Sequence, residues 1–366
     1  MIYLFVLFFL SYYFYIEEKS SRITKFLPLT LTWSPLLLVF FIIPATQFAV
    51  GFDYFVYRGY YAHPDILQIY FNKGEYFFYY VYKFIVKYQL GEQSIFYFAA
   101  LHNSVIIFFV FYKMRAAKFN VAIIFFLFFT ITGIYHNQMN GLRFYMGLVY
   151  FPLIALMLSE SKYLRSLPFL FLSIMSHFST VMILLLYPLS FLRRNSHFVF
   201  LLFILSPVVF LVSIGVVPYL VELLLNRYSH YLTGGYSQGI SIVNFLSKLY
   251  YLPLFLAFFF VYLKRRPISK FVPGSSYRNY LEYGILIWAG TYWTIILSLQ
   301  YGFFFRVQSA FIFFYIFPIY YLIEYCREKG RKYHVIFILL YLIIPYVMKV
   351  LIFAQGEYTY KNYLLN

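Results

Sequence analysis

Tyr135–Tyr150 reads YHNQMNGLRFYMGLVY, with the apolar run Val121–Ile134 before it and the apolar run Phe144–Leu158 after it. His136, Asn137, Gln138, Asn140, Gly141 and Arg143 fall between the two runs. Apolar runs of this kind read as helices in hydrocarbon, where polar side chains are costly and usually face a cavity, a partner or a water path. The stretch reads either as an ordinary polar turn between two spans or as a polar floor where a charged ligand meets the membrane.

Outward from this point the same alternation recurs. Apolar runs lie near 2–16, 28–46, 95–112, 119–135, 144–158, 197–217, 241–263, 281–300, 307–325 and 334–353. The chain is 63% hydrophobic and only 11% charged, a balance that a soluble domain does not carry. The expected fold is all-α: a polytopic integral membrane protein with about 10–12 transmembrane helices, some short or re-entrant. Residues 1–366 are read as a single transmembrane domain, without repeats. Met1–Ile16 has neither a basic n-region nor a small-residue cleavage site, so it is expected to stay as the first span. The single cysteine, Cys326, excludes a disulfide framework and a cysteine metal site.

A net charge of +17 raises the question of nucleic acid, but the placement of the charge argues against it. The loops 17–26, 113–118, 159–166, 193–196, 264–280 and 326–332 hold 19 of the 29 lysines and arginines. Short basic loops between apolar runs are orientation signals, and they place these six loops in the cytoplasm and both termini outside. Two segments bend this count. Glu75–Leu90 fits an interfacial amphipathic helix, with Lys83 and Lys87 four apart on one face. Leu167–Leu192 fits a re-entrant hairpin turning at Ser176, His177 and Phe178, since both of its ends are basic. The loops 47–94, 135–143 and 218–240 then form one outer face, joined by Arg306 and the tail from Ala354.

The candidate chemistry lies on that face. Asp53, in Gly51-Phe52-Asp53-Tyr54, is placed to take a proton from a sugar hydroxyl or to orient it; the plain alternative is a helix cap for Tyr54–Tyr61. Arg58, His63, Asp65 and Glu75 follow it in the same loop. Arg143, Arg227 and Arg306 suit a diphosphate because guanidinium stays charged and grips phosphate oxygens in a fork; snorkelling to headgroups is the alternative for each. His177 suits a phosphate contact or a proton shuttle, as does His136, against the commoner role of a satisfied interior histidine. Asn137, Asn140, Glu75 and His136 complete the expected pocket. The sequence contains no HExxH, glycine-rich phosphate loop, GxSxG or DxD pattern, so no metal or other cofactor is expected and an activated lipid is the expected donor.

In order along the chain, GFDYFVYRGYY (51–61), NKGEYFFYYVYKF (72–84), NQMNGLRFYMG (137–147), SIMSHFSTVMILL (173–185), NRYSHYL (226–232) and RVQSAFIFFYIFPI (306–319) resemble the EpsG/Wzy family of polysaccharide polymerases. Where that family commonly has glutamine after the arginine, this chain has Phe144. The resemblance implies a GT-C-like membrane glycosyltransferase of the bacterial inner membrane. It would act on the periplasmic or outer side, joining undecaprenyl-diphosphate-linked oligosaccharide units into O-antigen, capsule or exopolysaccharide. It also implies diphosphate ligands at Arg143 and Arg306, a weaker third at Arg227, a base at Asp53 and a phosphate or pocket partner at His177. Expected partners are the lipid-linked oligosaccharide, membrane lipid, a chain-length regulator and a flippase. The rival readings are an O-antigen ligase or single-sugar transferase, and a transporter of lipid-linked sugar. The small 218–240 loop and the absence of an internal repeat count against these.

Overall fold

The computed structural model describes residues 1–19, 29–192, 195–224, 242–264, 275–299, 302–354 and 356–365. Arg227, Arg193, Arg194 and most of the 218–240 loop lie outside the described residues. The chain is an all-α polytopic membrane protein. Four described helices, Ser94–Ala116, Leu142–Ser159, Phe304–Glu328 and Lys332–Leu351, are long and apolar enough to cross a membrane. Shorter apolar helices accompany them, among them Thr32–Ala45, Val121–Thr132, Tyr163–Ser176 and Phe178–Ser190.

The chain divides into two compact units. One comprises Met1–Ile183 and Leu339–Asn366. In it, helix Leu29–Ala45 runs along Ser94–Ala116, and helix Ile2–Lys19 along Val121–Leu127. Aromatic rings fill the seams: Phe40 meets Phe108 at 5.5 Å between centroids, and Phe14 meets Phe125 at the same distance. The other unit is Leu184–Ile338. It is built on a fully buried Trp288, against which Phe203 stacks at 5.1 Å and Phe255 packs at 4.7 Å.

Two features of the first unit set up a polar site. Helix Tyr76–Lys87 has 12 residues, about 18 Å of rise and short of the ~30 Å hydrocarbon. It buries Phe78, Tyr82 and Ile85 at helical spacing and exposes Tyr76, Tyr80 and Phe84, the two-faced pattern of an amphipathic helix. Helix Tyr163–Ser176 stops at His177, whose backbone is extended, and a 3₁₀ turn over Phe178–Leu185 follows. This break is braced against helix Leu142–Leu148: Ser173 Oγ donates to Gly147 O at 2.8 Å, and Thr180 Oγ1 donates to Ser173 O at 2.7 Å. Only glycine allows that approach, because a Cβ on Gly147 would stand 2.7 Å from Ser173 O.

Candidate active site

Arg143 sits in the first turn of helix Leu142–Leu148, where the helix dipole favours an anion rather than a cation. Glu75 supplies that anion. Its carboxylate pairs with the Arg143 guanidinium across 68 residues of sequence. The Glu75 side chain is 2% exposed and Arg143 17%, so the pair is nearly out of solvent while the arginine keeps one open edge. The guanidinium lies 4.1 Å from the centroid of the Tyr70 ring and 5.5 Å from Phe78, a stacked cation–π arrangement. Its Nε–H is buried without a hydrogen-bond partner.

The second Glu75 oxygen faces the helix break. Oε1 accepts from the Phe178 N–H at 3.3 Å and lies 3.9 Å from His177 Nε2. His177 Nδ1 accepts the Ser179 N–H at 3.1 Å and meets Ser179 Oγ at 2.7 Å. An acceptor at Nδ1 leaves a neutral imidazole with its proton on Nε2, aimed at Glu75. The Ser-His-Phe-Ser interruption of the apolar run thus serves to present one ring nitrogen and one backbone N–H to a single carboxylate.

Asp53 joins the site from the loop before helix Tyr54–Ala62. Its side chain makes no capping hydrogen bond, so the cap is not the role it takes. Its backbone N–H donates to Asn140 Oδ1 at 3.0 Å. Gly51, at φ +75°, allows this close approach: a Cβ there would stand 2.6 Å from Asn140 Oδ1. Tyr57 connects the two halves. Burial raises its hydroxyl above the ordinary phenol range; Arg143, within hydrogen-bond reach, opposes the shift and Asp53 reinforces it. Tyr54 is likewise pushed up to about 12 by burial.

The structure therefore brings Glu75, Arg143 and His177 together, and Asp53, held through its N–H by Asn140, is linked to them through Tyr57. Asn137 lies one turn before Asn140, its Oδ1 buried without a hydrogen-bond partner. His136 belongs to a different cluster. It stacks on Tyr358 at 4.5 Å, meets Tyr346 OH at 3.1 Å and is fully buried, which holds its imidazole well below the usual range. Arg306 is half-buried in helix Gly302–Phe311 of the other unit. Tyr57 and Tyr70 were not singled out from the sequence, where they look like the tyrosines of any interfacial loop. The one local hint is Tyr70 standing five residues before Glu75.

Fold and site together define a helical membrane protein with a buried, charge-paired polar site at the end of its spans. A model described as the EpsG family matches residues 30–365, and the chain belongs to that family. No curated protein and no solved structure matches it. Membership makes it a polymerase-like membrane protein of polysaccharide biosynthesis.

Proposed function

We propose that the protein is a glycosyltransferase that joins lipid-diphosphate-linked oligosaccharide units into a polysaccharide at the outer face of a bacterial inner membrane. Undecaprenyl diphosphate is the proposed carrier. The observation that carries this reading is the Arg143–Glu75–His177 constellation with Asp53 at its edge.

In the proposed step, a sugar hydroxyl of one lipid-linked unit attacks the anomeric carbon of the growing chain. The new glycosidic C–O bond forms as the anomeric carbon–phosphate oxygen bond breaks. The lipid diphosphate leaves with the electron pair, and the hydroxyl proton passes to the Asp53 carboxylate. Arg143 holds the diphosphate and stabilises the negative charge that grows on it as the bond breaks. The incoming diphosphate competes with Glu75 for the guanidinium at its exposed edge. Glu75, once displaced, keeps the Phe178 N–H and turns to the His177 Nε2–H. Glu75 thus screens the arginine while the site is empty of substrate. From the sequence resemblance, Arg306 and, more weakly, Arg227 are also proposed to bind diphosphate. A chain-length regulator and a flippase are the proposed protein partners.

The test is the length distribution of cell-surface polysaccharide from a deletion strain complemented at matched membrane abundance. Wild type should restore long chains, and Arg143→Ala should leave single repeat units. A full ladder from Arg143→Ala removes that residue from the site. If wild type changes only whether single units reach the surface, transport replaces polymerisation as the reading.

A further inference from the structure

The loop carrying Asp53 is held by hydrogen bonds from both sides. Residues near the end of the described chain form one side. The Phe48 N–H donates to Lys361 O at 2.9 Å, and the Tyr363 N–H donates to Thr46 O at 2.7 Å. Gln47 and Asn362 form an antiparallel bridge between these two bonds. The Thr46 and Tyr360 hydroxyls meet at 2.8 Å, and Tyr3 OH donates to Glu357 O at 2.9 Å. Gln93, itself buried, forms the other side. Its amide donates to Ala45 O at 3.0 Å and Gln47 O at 2.9 Å, and its carbonyl accepts from Tyr54 OH at 2.9 Å.

These contacts converge on the main chain of residues 45–48 and on Tyr54, directly before and after the Asp53 turn. The third anchor is the Asn140 bond to the Asp53 N–H. From this we infer that the segment 360–363 and Gln93 are positioning elements that fix where the Asp53 carboxylate stands. The inference rests on the proposed role of Asp53 as base. A loop of Gly, Asp and aromatic residues has many backbone states, and fixing each residue costs conformational entropy. The two-sided clamp provides that ordering before substrate arrives, which is what a base aimed at one hydroxyl requires.

The test uses the full chain in isolated membranes, in a Cys326→Ala background first matched to wild-type rate. Tyr363→Pro removes the N–H that Thr46 O accepts. Proline is tolerated there because Tyr363 opens a 3₁₀ turn and Asn362 before it is in the extended bridge. Tyr363→Ala keeps the N–H and removes only the ring. Directly opposed antiparallel residues have Cα atoms about 4.5–5.5 Å apart, within the range a disulfide spans. Gln47→Cys with Asn362→Cys is therefore expected to cross-link under copper–phenanthroline, read as a linked peptide by mass spectrometry.

The rate is read as extension of lipid-diphosphate-linked units. Tyr363→Pro should lower the maximal rate at least tenfold with KM within twofold of wild type, while Tyr363→Ala stays within threefold. The disulfide should restore Tyr363→Pro to within twofold of wild type, and a reductant should abolish the rescue. Wild-type rate in Tyr363→Pro overturns the inference, as does failure of the pair to cross-link. Arrest of the enzyme by the disulfide, reversed by reductant, also overturns it, since the tail would then be a lid that must leave. No extension by wild-type membranes, with the cross-link still forming, would overturn the polymerase reading and the positioning role with it, and leave the clasp as architecture only.

Discussion

Replacing Glu75 with glutamine removes the charge that balances Arg143 while nearly preserving shape. Glu75 is 2% exposed and Arg143 17%, so the pair counts as buried, and removing one partner of a buried pair costs about 3–5 kcal/mol. The open edge of Arg143 and the remaining amide acceptor place the expected loss at the lower end, about 3 kcal/mol. At roughly 2–4 °C per kcal/mol this is a fall of about 6–12 °C in midpoint. Arg143→Met alone should cost a similar amount, since it strands the carboxylate and gives up the Tyr70 stack. The double variant Glu75→Gln/Arg143→Met should lose less than the sum of the two, with a coupling of about 2 kcal/mol, because no stranded charge is left. The assay is thermal unfolding of the detergent-purified proteins by fluorescence-detected size exclusion at one ionic strength. A Glu75→Gln midpoint within about 1 °C of wild type, with additive losses in the double variant, would refute a buried, mutually dependent pair.

Three further perturbations follow from the geometry. Gly51→Ala forces a Cβ onto Asn140 at a positive φ and should cost about 1–3 kcal/mol with shortened surface chains, whereas Gly59→Ala, which meets nothing within 4 Å in a helix, should be neutral or raise the midpoint slightly; thermal scans and polysaccharide gels check both. Gly147→Ala drives a Cβ against Ser173 O and Thr180 and should loosen the His177 break, seen as a similar drop in midpoint and in chain length. His136 is held below its ordinary value, so below about pH 6.5 the unfolded chain takes up a proton that the folded chain refuses. Stability should fall as pH drops through that window, by at most about 1.4 kcal/mol per pH unit, and His136→Gln should flatten the midpoint curve between pH 7.5 and 5.5.

The spans were legible because hydropathy is local. The runs 95–112 and 334–353 became helices Ser94–Ala116 and Lys332–Leu351 with ends a few residues away. The break at His177 was legible from charge rather than hydropathy, since basic residues at both ends of Leu167–Leu192 call for a turn within it. Glu75 was legible as a pocket residue but not as the partner of Arg143, which lies 68 residues on, because no local pattern records such a pair. His136 and His177 looked interchangeable until the neighbours of His136 proved to be Tyr3, Tyr346 and Tyr358, from distant parts of the chain. The bridge of Gln47 with Asn362 is a single residue pair, too short for any strand signal. Tyr57 and Tyr70 were hidden by abundance: in a chain with 43 tyrosines, two that face an arginine do not stand out.

The most direct test of the central claim is the product of purified protein in liposomes given one lipid-diphosphate-linked repeat unit and no nucleotide sugar. The account predicts lipid-linked products growing by whole repeat units, one free lipid diphosphate released per bond formed, and loss of both with Arg143→Ala and Asp53→Asn. Repeat units that cross the bilayer unextended, or growth that demands a nucleotide sugar, would contradict it.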